Sequence, residues 1–202
     1  MALRLKNHWF KAQTPKSAAQ QASAIGFIIW RVSRNMLDQM RKAGFDIDIG
    51  PTYFAFMREV LVFLVQVADR LAFAQLPAEE RHQFTTALAL RMADFVEENQ
   101  GDLLGPLAPG ADSHRNQFID QFNALSSDYA EFGYGADGPD FGFMRYLGSR
   151  IMLLLPDKDQ HWVGDQVIAI EAPEAAELIR RSMEGVFSTE AARPRRKTMS
   201  GE

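Results

Sequence analysis

Glu79-x-x-His82 places a carboxylate and an imidazole three positions apart, the spacing that sets two metal ligands on one face of a helix. A helical carboxylate-bridged metal site needs a second such pair and further glutamates from other helices. The chain has one copy, placed in the first turns after Pro77 where water reaches it, so no metal site is expected. His8, His114 and His161 show no ligand spacing. Gly133-x-Gly135-x-x-Gly138 matches the dinucleotide fingerprint as text. The mechanism behind that fingerprint requires a strand before it and a helix N-terminus after it. Here a helical pattern precedes it and Pro139 follows, so it reads as a turn. Asp140-Phe141-Gly142 has the letters of the kinase metal triplet but no catalytic loop or P-loop to accompany it, and Asp140 reads as a helix cap. Ser149 lies in Gly148-Ser149-Arg150, which is not a nucleophile elbow. No catalytic residue and no cofactor is assigned. The absence of cysteine removes thiolate nucleophiles, disulfides, zinc fingers and cysteine-held clusters.

The least generic stretch is 133–162. Tyr134, Arg145, Tyr146, Arg150, His161 and Trp162 are its candidate ligand-binding residues: aromatic walls with an arginine for a carboxylate or phosphate. The plainer reading is a tight corner whose aromatics belong to the core, and it is preferred. A third group sits on the most apolar segment. Glu59, Gln66 and Arg70 fall within about 40° of one another on a wheel of 3.6 residues per turn, with Asp69 nearby. If buried, they need partners, and a paired structural network is expected there.

The elements that must position these residues are helical. Thr14-Pro15 reads as a helix start and Gly44 as its stop, with Ile25, Ile29, Val32, Met36 and Met40 on one face. Asp46 to Ile49 reads as a linker. Pro51 opens a helix that is apolar nearly all round, which marks it as the central one, over 51–75. Pro77 starts a third, with Phe84, Leu88, Met92, Phe95 and Val96 inward. Gln100 to Asp112 reads as the longest irregular connection. A fourth helix carries Phe118, Phe122, Leu125, Tyr129 and Phe132; a fifth carries Met144, Leu147, Ile151 and Leu154 and ends at Pro156. Residues 157–172 fit a helix through Val163, Val167 and Ile170, or a short strand over 167–170. Pro173 opens the last helix, with Ala175, Leu178, Ile179, Met183 and Val186 inward. The expectation is an all-α fold: six or seven helices in an irregular or orthogonal bundle around 51–75. It forms one domain over 1–188, with a basic N-terminal arm (1–16) and a disordered basic tail (189–202).

The 202 residues are 47% hydrophobic and 24% charged, ordinary for one globular domain. The net charge of −4 conceals an uneven distribution. Residues 1–37 hold six basic residues and no acid, and 193–197 hold four basic residues. Segment 38–192 keeps 12 basic and 25 acidic residues, a net −13. Leu3, Leu5, Trp9 and Phe10 amid Arg4, Lys6 and Lys11 suit an arm that docks on an acidic protein surface, on the same chain or on a dimer mate. Arg58, Glu59, Asp69 and Arg70 interrupt the most apolar helix, so no membrane span is expected. A cytoplasmic location is expected, with no nucleic-acid partner. The leading functional expectation is a non-catalytic helical protein-interaction module, an adaptor, assembly factor or regulatory subunit that binds a protein partner or itself. The alternatives are a small-molecule binding protein that takes a small acidic ligand near 133–162, and an enzyme with a spatially assembled site.

Overall fold

A computed structural model describes residues 16–105 and 107–187. Residues 1–15 of the expected N-terminal arm (1–16) and the basic tail lie outside the described residues. Helix α1 (Ala18–Lys42) begins at a capping box. The Gln20 amide donates to Ser17 Oγ at 3.3 Å, and the Ser17 amide donates to Gln20 Oε1 at 3.1 Å. Ser17 is thus the cap, rather than Thr14. The helix ends as expected at Gly44, whose φ of 95° suits glycine. Helix α2 (Pro51–Phe73) starts on its proline and buries 15 of its 23 residues, Val60 to Ala68 without a break. By length and hydropathy it would suffice to cross a bilayer; here it is the centre of the bundle and packs against α1, α3, α4, α5 and α7.

Helix α3 (Ala78–Leu104) continues three residues past Gly101. The irregular connection therefore spans 105–113 and is shorter than the sequence suggests. Glycine inside a helix costs only about 1 kcal/mol, which tertiary packing overrides. Helix α4 (His114–Ala130) is capped by Ser113, whose Oγ accepts from the Asn116 amide at 3.1 Å. A hairpin of β1 (Tyr134–Gly135) and β2 (Gly138–Pro139) then leads into α5 (Phe141–Met152). The last rod is continuous: α6 (Asp157–Gln166), a π-helical turn (Val167–Glu171) and α7 (Ala172–Phe187). Residues 157–172 are therefore helical, and there is no strand at 167–170. Pro173 lacks the N–H of its turn, and the π turn ends two residues before it at Glu171, with the Ala172 amide donating five residues back to Val167 O. The wider turn shifts the helix phase: Val163 and Val167 are buried, whereas Ile170 and Leu178 face outward.

The fold is an all-α bundle around α2, as expected. The relative direction of α1 and α3 shows in one close approach. Gly26 on α1 lies against Leu88, Arg91 and Met92 on α3, and a Cβ there would come within 2.9 Å of Met92 Cε. Four residues on, the Trp30 ring centroid is 5.5 Å from that of Phe95. Helices α1 and α3 thus run parallel, side by side, so the C-terminal ends of both meet the N-terminal end of α2 at one end of the bundle.

Candidate functional site

The polar stripe on α2 is paired along its whole length, as the sequence predicts. Glu59 is 3% exposed, and its two oxygens accept from Arg150 on α5, Nη2 to Oε1 at 2.6 Å and Nε to Oε2 at 3.1 Å. Gln121 Nε2 on α4 adds a third bond at 2.9 Å. Two turns further, Gln66 Nε2 donates to Ser126 Oγ at 2.7 Å. Arg70 Nη2 lies 3.1 Å from the carbonyl of Tyr129 and within reach of those of Ala130 and Phe132, where a cation meets the negative end of α4. Asp69 pairs with Arg81 and accepts from the Thr85 hydroxyl at 2.6 Å. The stripe's charges at Glu59, Asp69 and Arg70 are thereby matched, which is what burial demands.

The six candidate ligand residues separate into four places. Arg150, one of the two guanidiniums offered for a ligand acid, is held by an internal carboxylate. Tyr146 stands beside it, its hydroxyl donating to Asp128 and its ring edge-on to Tyr129 at 5.0 Å. Burial, with the Asp128 carboxylate, pushes the Tyr146 phenol up to about 12. Tyr129 is fully buried between them, and its hydroxyl has no hydrogen-bond partner. Burial first, then the Glu59 charge, raises its phenol well above the ordinary value. Tyr134 lies on the hairpin and packs edge-on to Phe143 at 6.1 Å. It borders a hollow of about 110 Å³ with Met144, Pro173, Glu177 and Arg180. Burial pushes its phenol up to about 12 as well. Arg180 there is already engaged by Glu177 and Glu184. Arg145 is exposed on α5, and His161 and Trp162 are exposed on α6, Trp162 by 69%. Tyr146 and Arg150 share one cluster; the other four do not join it. The aromatics Phe143, Tyr129 and Phe63 interlock in the core.

Asp140 caps α5 as expected and does more. Its Oδ1 accepts from the Phe143 amide at 2.7 Å and its Oδ2 from the Gly133 amide at 2.8 Å, so one carboxylate closes the hairpin and starts the helix. Gly133, Gly135 and Gly138 belong to that hairpin. Glu79 and His82 are exposed on the first turns of α3, and among the described residues no group of three or more histidine, aspartate or glutamate side chains is gathered to hold a metal ion.

A groove that the sequence reading did not single out lies at the end of the bundle where α1 and α3 finish and α2 begins. Its volume is about 180 Å³. Leu37 and Tyr53 form its walls with Arg34, Asp38 and Arg41, and Ile49 and Leu103 stand at its mouth. Ile49 is 70% exposed and Leu103 54%. Arg41 is fixed in place: its Nε donates to Ile47 O at 2.6 Å, and its guanidinium lies 5.7 Å from the Tyr53 ring centroid. Arg34, Asp38 and Asp48 are exposed and have no ion-pair partner among the described residues. The available signal in the sequence was apolar side chains in connecting segments: Ile49 before Pro51, and Leu103 before Gly105.

Compared with protein-family models, curated proteins and solved structures, the chain has no match.

Proposed function

We propose that this chain is a helical protein-interaction module that docks a protein surface at the α1/α2/α3 end of the bundle. The observation that carries this reading is the pairing of Ile49 and Leu103. These two large apolar side chains come from the α1–α2 connection and from the last turn of α3, are more than half exposed, and share one concavity with a charged rim. Exposed apolar side chains that converge beside a groove mark an interaction surface more than scattered ones do. The groove's volume of about 180 Å³ accepts one or two inserted side chains. It falls short of the roughly 300–1,000 Å³ typical of small-molecule sites. The internal pairing of Arg150 and of Arg180 supports the same choice, because neither guanidinium is left for a ligand acid.

The test is site-specific photo-crosslinking in living cells. A photoreactive side chain at Leu103 is expected to give discrete protein adducts, and one at the exposed Ala169 on the far rod is expected to give none. Equal labelling from both positions, or no adduct from Leu103, would overturn the reading.

A further inference from the structure

The groove's composition identifies its occupant, and this inference rests on the functional reading above: we infer that the surface docked there is a second copy of the same chain, in a two-fold dimer closed by Ile49 and its neighbours. A two-fold interface uses the same patch on both copies, so that patch must be self-complementary, with each feature finding its opposite within it. This end of the bundle meets that requirement in shape and in charge. It presents a protruding apolar side chain, Ile49, beside a concavity walled by Leu37 and Tyr53. It also presents charges of both signs, Arg34 with Asp38 on α1 and Asp48 beside Ile49, none in an ion pair among the described residues.

Two-fold docking sets Ile49 of each copy into the groove of the other. Asp48, the residue before it, then comes to the Arg34 rim of the opposite copy. Both apolar side chains leave water, and these charges gain partners of opposite sign. Leu103 and the adjacent Leu104, 43% exposed, extend the apolar contact along the end of α3. A partner of uniform charge would satisfy only half of this rim. The immobilised Arg41 keeps the groove wall pre-formed, which lowers the ordering cost of association. The dimer is expected to dissociate with a constant on the order of micromolar.

The experiment is sedimentation velocity on the purified full chain from about 1 to about 300 μM, the range that brackets such an association. The expected result is a concentration-dependent shift from 22.8 kDa to twice that mass. Ile49→Glu, at an exposed position that does not enter the core, should remain monomeric at every concentration with an unchanged circular dichroism spectrum. Arg34→Asp and Asp48→Arg should each weaken the dimer about tenfold or more, the cost of placing like charges together in an interface. The double charge swap should restore it. A wild-type chain that stays monomeric overturns the inference, as does a dimer indifferent to Ile49→Glu. If the wild type is monomeric while the Leu103 crosslinks contain a different protein, the dimer is wrong and the docking reading stands. If Leu103 yields no adduct either, both fall.

Discussion

Arg150 on α5 grips the buried Glu59 on α2 through two nitrogens, and the two residues lie 91 positions apart in the chain. This fork joins the fifth helix to the central one, and Gln121 ties the same carboxylate to the fourth. Arg150 itself is one-third exposed, so water screens one partner and not the other. The asymmetry sets what mutation should reveal. Arg150→Ala leaves a carboxylate in the interior with one amide donor, and the expected loss is about 2–4 kcal/mol, somewhat below a fully buried pair because of the screening. Replacing both by leucine removes the charge along with its partner and should cost less than Arg150→Ala alone. Chemical denaturation of the three proteins decides this; a single-variant loss under about 0.5 kcal/mol would show that the fork is a surface pair of little weight.

Asp140 should be the costliest surface carboxylate to remove for local order. It satisfies one amide of the hairpin and one of the α5 first turn. Asp140→Ala is expected to cost about 1–2 kcal/mol, the upper part of the range for a lost helix cap. Amide hydrogen exchange should locate the effect, with Gly133 and Phe143 losing protection and α1 unchanged. Uniform loss across the molecule would refute a local role.

Helix positions in this protein are legible because the apolar spacing is strong and the punctuation is clear. Pro51, Pro77 and Gly44 end or open elements where their backbone chemistry requires it. The paired stripe of Glu59, Gln66 and Arg70 was legible for a similar reason, since charge on an all-apolar helix must find partners. The π turn was not. Its cause is Pro173, which reads equally well as a helix start, and only the packing of 157–166 on α5 makes the rod continuous. The groove was also illegible, because Ile49 and Leu103 are 54 positions apart and nothing local announces that parallel α1 and α3 bring them together. The exposure of His161 and Trp162 likewise follows from the phase of α6, which its weak apolar pattern leaves undetermined.

Glu171 in the π turn gives a pH-dependent test. It is buried, Gln166 Nε2 donates to its Oε1 at 2.9 Å, and burial holds its carboxyl above the ordinary glutamate value. The unfolded chain ionises at the ordinary value, about 4.3. Between the two values the folded state retains a proton that the unfolded state has lost. Stability from this group is therefore full at low pH and falls as pH rises through that window. Above it the folded protein carries a buried charge at constant cost. Glu171→Gln keeps the acceptor for Gln166 and removes the charge. It should stabilise the protein at pH 7 by up to about 1 kcal/mol, the scale of single substitutions. The gain should shrink toward zero near pH 4. A loss of stability at pH 7 would contradict the account.

Tyr129 provides the sharpest test of the interior. Its ring is packed 4.7 Å from Phe143 and 5.0 Å from Tyr146, so the aromatic contacts are already made without the hydroxyl. The hydroxyl is buried and finds no acceptor, although Glu59 and Arg150 stand close enough to influence it electrostatically. Those two groups are satisfied by each other and by Gln121, which explains why neither turns to it. An unpaired buried hydroxyl carries its desolvation cost with no bond in return, a penalty of about 1–3 kcal/mol. Tyr129→Phe keeps the ring and removes that penalty, at the cost of a small void where the oxygen stood. The expected outcome is unchanged or raised stability, by up to about 1 kcal/mol once the void is counted. The same burial predicts the alkaline titration. With Tyr129 held well above the usual range and Tyr134 and Tyr146 at about 12, three of the four tyrosines should remain protonated at about pH 11 while the fold persists. Tyrosinate absorbance from these three should therefore stay small at about pH 11 and rise in full only as circular dichroism reports unfolding. If Tyr129→Phe instead lost more than about 1 kcal/mol, the hydroxyl would have to be hydrogen-bonded in solution, and the interior around Glu59 would be arranged differently from the geometry described.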